Sequence, residues 1–138
     1  MKTVTLFLAG DVMTGRGLDQ ALPHPGAPTL HEPSIRDARR YVELAEAAHG
    51  PIPRPMPPAA PWGDALALLD AFQPAARIVN LETSVTTSND WCRSKDIHYR
   101  MHPHNISCLA AAGIDVATLA NNHTLDWGRA GQIGRAHV

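Results

Sequence analysis

The sequence predicts an α/β fold built on a mostly parallel sheet. Residues 3–9, 76–81 and 115–120 are apolar runs with the length and composition of strands. Segments with helical periodicity separate them, and an alternation of strands and helices favours parallel pairing through right-handed crossovers. Each run leads directly into polar residues. Since ligands of open parallel sheets bind at the carboxyl ends of the strands, we expect these polar residues to share one pocket.

The first half of the chain predicts a strand and two helices. After the strand at 3–9, a glycine-rich turn at 10–17 leads into a short helix. Ser34 is a typical N-cap residue, with Asp37 three positions later, for a helix that ends near residue 50. The proline-rich segment 51–61 excludes a helix or central strand. It predicts a rigid surface connection more than a ligand for a peptide-binding domain.

The second half of the chain is predicted to form two further helices and one strand that is exposed on one side. Residues 62–72 are predicted to form a helix with Leu66, Leu69 and Phe72 on one side. Apolar and polar residues alternate at 97–102, which predicts a half-exposed strand. A helix from about 105 to 112 ends at Gly113. The predicted order is β-α-α-β-(β)-α-β.

Composition excludes some classes of function. The chain has 138 residues, 12 Lys and Arg, 13 Asp and Glu and a formal charge of −1, without the concentrated basic face of a nucleic-acid-binding protein. No run reaches the roughly 20 apolar residues of a membrane span, and no leader peptide is evident, so we expect a cytoplasmic protein. Cys92 and Cys108 lack the spacing of a metal site. We expect both to be reduced thiols, and a disulfide between them is the alternative.

Asp11, Arg16, Asn80 and Glu82 are the candidate site residues after the first two strands. A carboxylate at position 11 suits a hard or borderline cation, or else it caps the next helix. Arg16 can clamp a phosphate or carboxylate. Glu82 is either a metal ligand or a solvated loop residue. Asn80 lies on the same side of the strand as Glu82, because alternate residues of a strand share one face. We assign Arg16 and Asn80 to substrate binding.

The third strand ends in Asn121-Asn122-His123, residues that rarely form strands. An asparagine amide oxygen can ligate a metal, and a histidine can ligate a metal or act as a general acid. The alternative is a turn in which His123 and Asp126 are hydrogen-bonded locally. Three other histidines with metal-like spacing, at 98, 102 and 104, are expected in a surface loop.

Three motifs together resemble the CapA family. They are Gly10-Asp11-Val12-Met13-Thr14-Gly15-Arg16, Asn80-Leu81-Glu82-Thr83 and Ala120-Asn121-Asn122-His123-Thr124-Leu125-Asp126-Trp127-Gly128. The motifs occur in the family's order. That family is linked to poly-γ-glutamate capsule synthesis and resembles calcineurin-type metallophosphatases, so the resemblance implies an αββα sandwich, of which this chain would carry part.

The resemblance also implies a site with two divalent metal ions, such as Mn, Zn or Fe. Asp11, Glu82 and Asn122 would be metal ligands and His123 the acid that stabilises the leaving group, with Glu82 at the bridging position. The first motif usually has a histidine where this chain has Met13. The substrate would be a small molecule or a polyglutamate-type polymer.

Histidines from later motifs of such sites are missing here, so the resemblance implies a truncated domain. We expect residues 1–131 to be its N-terminal part. Residues 132–138 do not continue the helical pattern and match translated sequencing-adapter DNA, so we expect a non-native tail. The chain would then belong to a metal-dependent hydrolase or transferase. The alternatives are a non-catalytic polymer-binding or capsule-assembly protein, or an inactive fragment.

Overall fold

The computed structural model describes residues 2–132, and the predicted tail lies outside them except for Gln132. The strands are β1 (Leu6–Val12), β2 (Ala76–Leu81), β3 (Ser84–Val85), β4 (Arg100–Met101) and β5 (Val116–Thr118). The α-helices are α1 (Arg16–Ala21), α2 (Arg39–His49), α3 (Ala65–Phe72) and α4 (Ser107–Ala111). Short 3₁₀ turns occur at Ala60–Trp62, Pro103–Ile106 and Arg129–Gly131.

The main sheet has the order β1-β2-β5, and both of its strand pairings are parallel. Helices α1, α2 and α3 lie between β1 and β2 in sequence, and α4 precedes β5. A second, two-stranded sheet pairs β3 with β4, also in parallel. The prediction of an α/β fold with a parallel sheet is therefore confirmed, and the arrangement agrees with part of a metallophosphatase-like fold.

Strand β1 runs three residues further than the sequence predicted. Ala9 pairs with Val79, but Asp11 pairs with Asn80, so Gly10 is an extra residue in the register. This irregularity resembles a β-bulge, which redirects the side chains that follow it. Asp11 thus belongs to the strand rather than to the turn after it.

Helix α2 begins at Arg39, so the prediction of a start near Ser34 was wrong. Residues 36–38 are instead tied to residues 28–30 by a bridge between Thr29 and Asp37 and by two backbone hydrogen bonds, from the Leu30 N–H to residue 36 and from the Ala38 N–H to residue 28. The Asp37 carboxylate accepts the Arg39 N–H at 2.9 Å, so it supplies the acceptor expected from Ser34. Arg39 in turn holds the pKa of Asp37 down to about 2 by hydrogen bonding.

The alternating segment 97–102 was also predicted wrongly. Only Arg100 and Met101 form a strand, and the polar His98 and Arg100 are buried while Ile97 is exposed. Arg100 is accommodated because its guanidinium donates to the carbonyls of residues 27 and 88 and lies 3.8 Å from the Trp127 ring centroid. Satisfied polar groups can replace apolar ones inside a protein.

The main core lies between α1, α4 and the two-stranded sheet. Its buried members are Leu22, Leu81, Val85, Met101, Cys108 and Leu109. Cys108 and Cys92 are both free thiols. On α3 only Leu69 is buried and Phe72 is exposed, so the predicted inward side of that helix was partly wrong. Within residues 2–132 no helix is long and apolar enough to cross a membrane.

Candidate functional site

The carboxyl ends of the three main strands meet in a row of hydrogen-bonded side chains. Asn80 donates from Nδ2 to Asp11 Oδ1 at 2.7 Å. Asn121, just beyond β5, donates from its own Nδ2 to Asn80 Oδ1 and to the Leu81 carbonyl, both at 3.0 Å. Because β2 lies between β1 and β5, this row joins residues that are 110 positions apart in sequence.

Asp11 does not cap helix α1. The N-cap of that helix is Gly15, and no side chain hydrogen-bonds to it there. Asp11 is exposed at the sheet edge, with Asn80 as its hydrogen-bond donor. Of the two interpretations of Asp11 from the sequence, the cap is therefore excluded, and an exposed carboxylate at the strand end remains.

His123 lies in the turn that follows this row. Its backbone N–H donates to Asn121 Oδ1 at 2.9 Å, and its side chain is 8% exposed. Ring nitrogen Nδ1 lies 2.6 Å from Asp126 Oδ2, while Nε2 lies 3.8 Å from Glu82 Oε1. The first distance is a hydrogen bond and the second is too long for one. The predicted local bond between His123 and Asp126 is thus present, and it leaves Nε2 directed toward Glu82.

Asp126 is fully buried and bound on both carboxylate oxygens. Oδ2 accepts the Tyr99 backbone N–H at 2.7 Å as well as facing His123 Nδ1. Oδ1 forms an ion pair with Lys95. A buried carboxylate needs such a paired charge and hydrogen bonds because its desolvation is costly. Asp126 is therefore a fixed acceptor beside His123.

Arg16 reaches the same neighbourhood through an aromatic stack. The Tyr99 ring stacks on His123 with centroids 4.0 Å apart, and Arg16 Cζ lies 4.8 Å from the centroid of Tyr99. Arg16 Nε donates to buried Glu32 at 2.7 Å, and the Tyr41 hydroxyl donates to the same carboxylate at 2.8 Å. Burial and the bond to Glu32 raise the pKa of Tyr41. Arg16 is thus paired in this structure.

A cavity of about 300 Å³ lies beside Arg16. Its walls are mostly apolar and include Met13, Leu18, Val42 and Met56. Cavities of this size and lining are typical of small-molecule sites. Arg16 lies on the wall of this cavity, and this position is compatible with its predicted role in substrate binding.

The structure places the three predicted metal ligands in different surroundings. Asp11 belongs to the hydrogen-bonded row, and Glu82 faces His123. Asn122 is exposed, and its backbone carbonyl accepts a hydrogen bond from Lys95. These carboxylate and amide oxygens suit Mn²⁺ or Zn²⁺ in kind. However, residues 2–132 contain no group of three His, Cys, Asp or Glu side chains placed to hold a metal. They therefore do not fit a closed metal site by themselves.

Sequence reasoning missed Lys95 and Tyr99, which surround His123. Nothing in their local pattern marks them, because their relation to His123 arises from folding over 24 residues or more. Asp126 was visible as a neighbour three positions after His123. The expectation of a surface loop was wrong for His98, which is buried against Trp91 and Trp127.

The chain is thus an α/β protein with a row of polar side chains at the carboxyl ends of a parallel sheet. The chain matches the family described as bacterial capsule synthesis protein PGA_cap over residues 5–135. It belongs to that family, which confirms the resemblance found in the three motifs.

Two curated relatives come from Mycobacterium tuberculosis, strains CDC 1551 / Oshkosh and H37Rv, and each is named "probable polyglutamine synthesis accessory protein". Each is 49% identical over 128 residues, which cover 93% of this chain and 34% of the relative. The chain thus spans about a third of the length of these relatives. No solved structure matches it.

Proposed function

We propose that this capsule-synthesis family member forms part of a metal-dependent hydrolase or transferase of the metallophosphatase-like class. Its substrate would be a phosphoester or a polyglutamate-type amide, and its location the cytoplasm. The observation that carries the proposal is the buried His123, held by Asp126 with Nε2 directed toward Glu82, next to the polar edge of the sheet.

In this proposal the chain's own residues have distinct roles. With both ring nitrogens protonated, His123 delivers the Nε2 proton to the leaving group and returns to the form with its proton on Nδ1, a contribution of about 10²–10⁴ in rate for a well-placed acid. Arg16 and Asn80 bind the substrate's anionic or amide groups. Asp11, Glu82 and Asn122 belong to a two-ion site whose remaining ligands come from outside residues 2–132.

The metal proposal is tested by titrating a protein that contains these residues and has the full length of the curated relatives with Mn²⁺ and with Zn²⁺ in a calorimeter. We expect binding that weakens by about tenfold or more, or 1.4 kcal/mol, in Asp11→Ala and in Asn122→Ala. The matched control is Asp70→Ala, which removes an exposed carboxylate on α3. Affinities that are equal in all four proteins, or no binding at all, would contradict the proposal for this chain.

A second candidate is a non-catalytic polymer-binding or assembly protein. The word "accessory" in the names of the curated relatives favours it. It is distinguished by equilibrium dialysis against poly-γ-glutamate, together with assays for released phosphate and glutamate. Polymer binding that survives in Glu82→Ala and His123→Ala, with no turnover by the unmodified chain, would support this second function over the first.

A further inference from the structure

The segment between β3 and β4 packs against the turn that carries His123. The Cys92 N–H donates to the Asp126 carbonyl at 2.8 Å, and Trp127 Nε1 donates to the Tyr99 carbonyl at 3.1 Å. Tyr99 is the second of these attachment points, and Lys95 lies between them in the chain. Their side chains are therefore placed against the turn by hydrogen bonds on both sides.

Lys95 contacts several groups of that turn. Its Nζ pairs with Asp126 Oδ1 and donates to the Asn122 carbonyl, and it lies 3.5 Å from His123 Nδ1. The Lys95 side chain is 26% exposed and that of Asp126 is 0% exposed. Among the described residues, Lys95 is the only lysine or arginine in an ion pair with Asp126. It supplies the positive charge that pairs with this buried carboxylate.

The contact with the Asp126 carboxylate determines which nitrogen of His123 carries the proton. A carboxylate has no hydrogen of its own and can only accept, so the 2.6 Å contact requires a proton on Nδ1. The contact of Lys95 with Nδ1, at 3.5 Å, is much longer and does not compete. Nε2 then carries the free lone pair. The ring nitrogen with the lone pair is the one that faces Glu82.

Tyr99 fixes the plane of the same imidazole. Its ring lies over His123 at 4.0 Å with an angle of 26° between the planes. Its backbone N–H holds Asp126 Oδ2, the oxygen that faces Nδ1. Arg16 lies over the Tyr99 ring, with Cζ 4.8 Å from the centroid, which backs the stack.

We propose that Lys95 and Tyr99 are positioning residues for His123. Lys95 holds it in the Nδ1–H tautomer through Asp126, and Tyr99 holds the ring plane, so that Nε2 is presented to the reacting group. The catalytic meaning of this arrangement rests on the proposed function. The arrangement itself is a property of the folded chain and can be measured without a substrate.

Nuclear magnetic resonance of ¹⁵N-histidine-labelled chain, in the presence of a chelator, reads the tautomer of His123 directly. We expect the proton on Nδ1 in the unmodified chain. In Lys95→Met the ratio of tautomers should move toward Nε2–H by about tenfold, or 1.4 kcal/mol. Lys95→Arg should restore the Nδ1–H form because it keeps the charge. Lys2→Met, which changes the other lysine of the chain, is the matched control.

The ring plane is read from the carbon-bound protons of His123. Stacking on Tyr99 should shift them upfield, and Tyr99→Leu should remove that shift while leaving the backbone N–H that binds Asp126. An Nε2–H tautomer in the unmodified chain, an unchanged tautomer in Lys95→Met or an unchanged shift in Tyr99→Leu would overturn the proposal. If Lys95→Met fails to fold, Lys95→Gln, which removes the charge but keeps a hydrogen-bond donor, takes its place in the same measurement.

This experiment separates the two proposals. One possible result is an Nδ1–H tautomer that depends on Lys95, together with metal binding that Asp11→Ala does not change. That result would support the positioning roles of Lys95 and Tyr99 and contradict the proposed metal-dependent enzyme. The reverse combination would reject the positioning roles alone.

Discussion

The main sheet and the turn region around His123 differ in how much of their side-chain surface is buried. Parallel sheets are normally buried on both faces. Here β1 and β5 expose large apolar side chains, with Leu8 at 68%, and α3 exposes Phe72 at 69%. In the turn region, by contrast, Trp127 is 2% exposed, and Asp126 is fully buried although it is charged.

This difference shows that part of the regular structure of this chain lies outside the buried interior. The strands pair through backbone hydrogen bonds, which form whether or not the apolar side chains are covered. The turn region can be buried because its polar groups hydrogen-bond to one another. Asp126 has a lysine, a histidine and a backbone N–H as partners, and Arg100 has carbonyls and an aromatic face. The comparison predicts that stability depends more on the turn region than on the exposed apolar side chains.

The largest effect should follow loss of the buried tryptophan. Trp127→Ala removes a filled volume, the contact with Arg100 and the hydrogen bond to Tyr99, so it should lower the free energy of unfolding by about 3–5 kcal/mol. Phe72→Ala removes an exposed ring and should change it by less than about 0.5 kcal/mol. Urea denaturation measures both. Similar losses in the two variants would break the comparison.

A smaller effect separates the two carboxylates of the site. Asp126→Ala leaves Lys95 and His123 without their buried partner and should cost about 3 kcal/mol. Asp11→Ala at the exposed sheet edge should cost under about 0.5 kcal/mol. The same denaturation experiment, at low and high salt, checks both values. A cost for Asp11→Ala as large as that for Asp126→Ala would show that the sheet edge is structurally essential.

The smallest effect concerns the pH dependence of stability. Burial raises the pKa of the Cys108 thiol from 9.0 to about 11. Folding thus favours the protonated thiol, and this contribution is complete below pH 9 and lost as the pH rises from 9 to 11. The free energy of unfolding of Cys108→Ala should therefore fall less over this range than that of the unmodified chain.

Cys92→Ala is the control for this measurement. A hydrogen bond with Ser94 lowers the pKa of the Cys92 thiol, so its removal should not flatten the alkaline decline in the same way. Equal slopes for the unmodified chain and Cys108→Ala would contradict a buried, protonated thiol.

The fold could be predicted where the local pattern and the tertiary environment agree. The strands at 76–81 and 115–120 are apolar, lie between helical segments and pair in parallel, although the last of them is shorter than predicted. Gly113 ends α4 with a φ of +60°, as its position predicted. The hydrophobic pattern predicted the wrong buried side for Phe72 and for the segment 97–102. In both places the residues that pack against the segment decide which of its sides is buried.

The candidate site could be predicted in part for the same reason. Strand ends that share one edge bring Asp11, Asn80 and Asn121 together, and the order of strands makes this foreseeable. The partners of His123 were not foreseeable, since Lys95 and Tyr99 come from a loop with no periodic signal. Their roles depend on distances and angles that only the folded chain defines.

The α/β class, the family and the polar ends of the strands follow from local features of the sequence. Apolar runs, turn residues and short motifs act locally, so they can be read along the chain. The tertiary structure alone decided that Asp126 is buried with Lys95, that Tyr99 lies on His123 and that Arg16 is paired with Glu32. The physical reason is that burial of charge depends on the partner, and partners distant in sequence are chosen by packing.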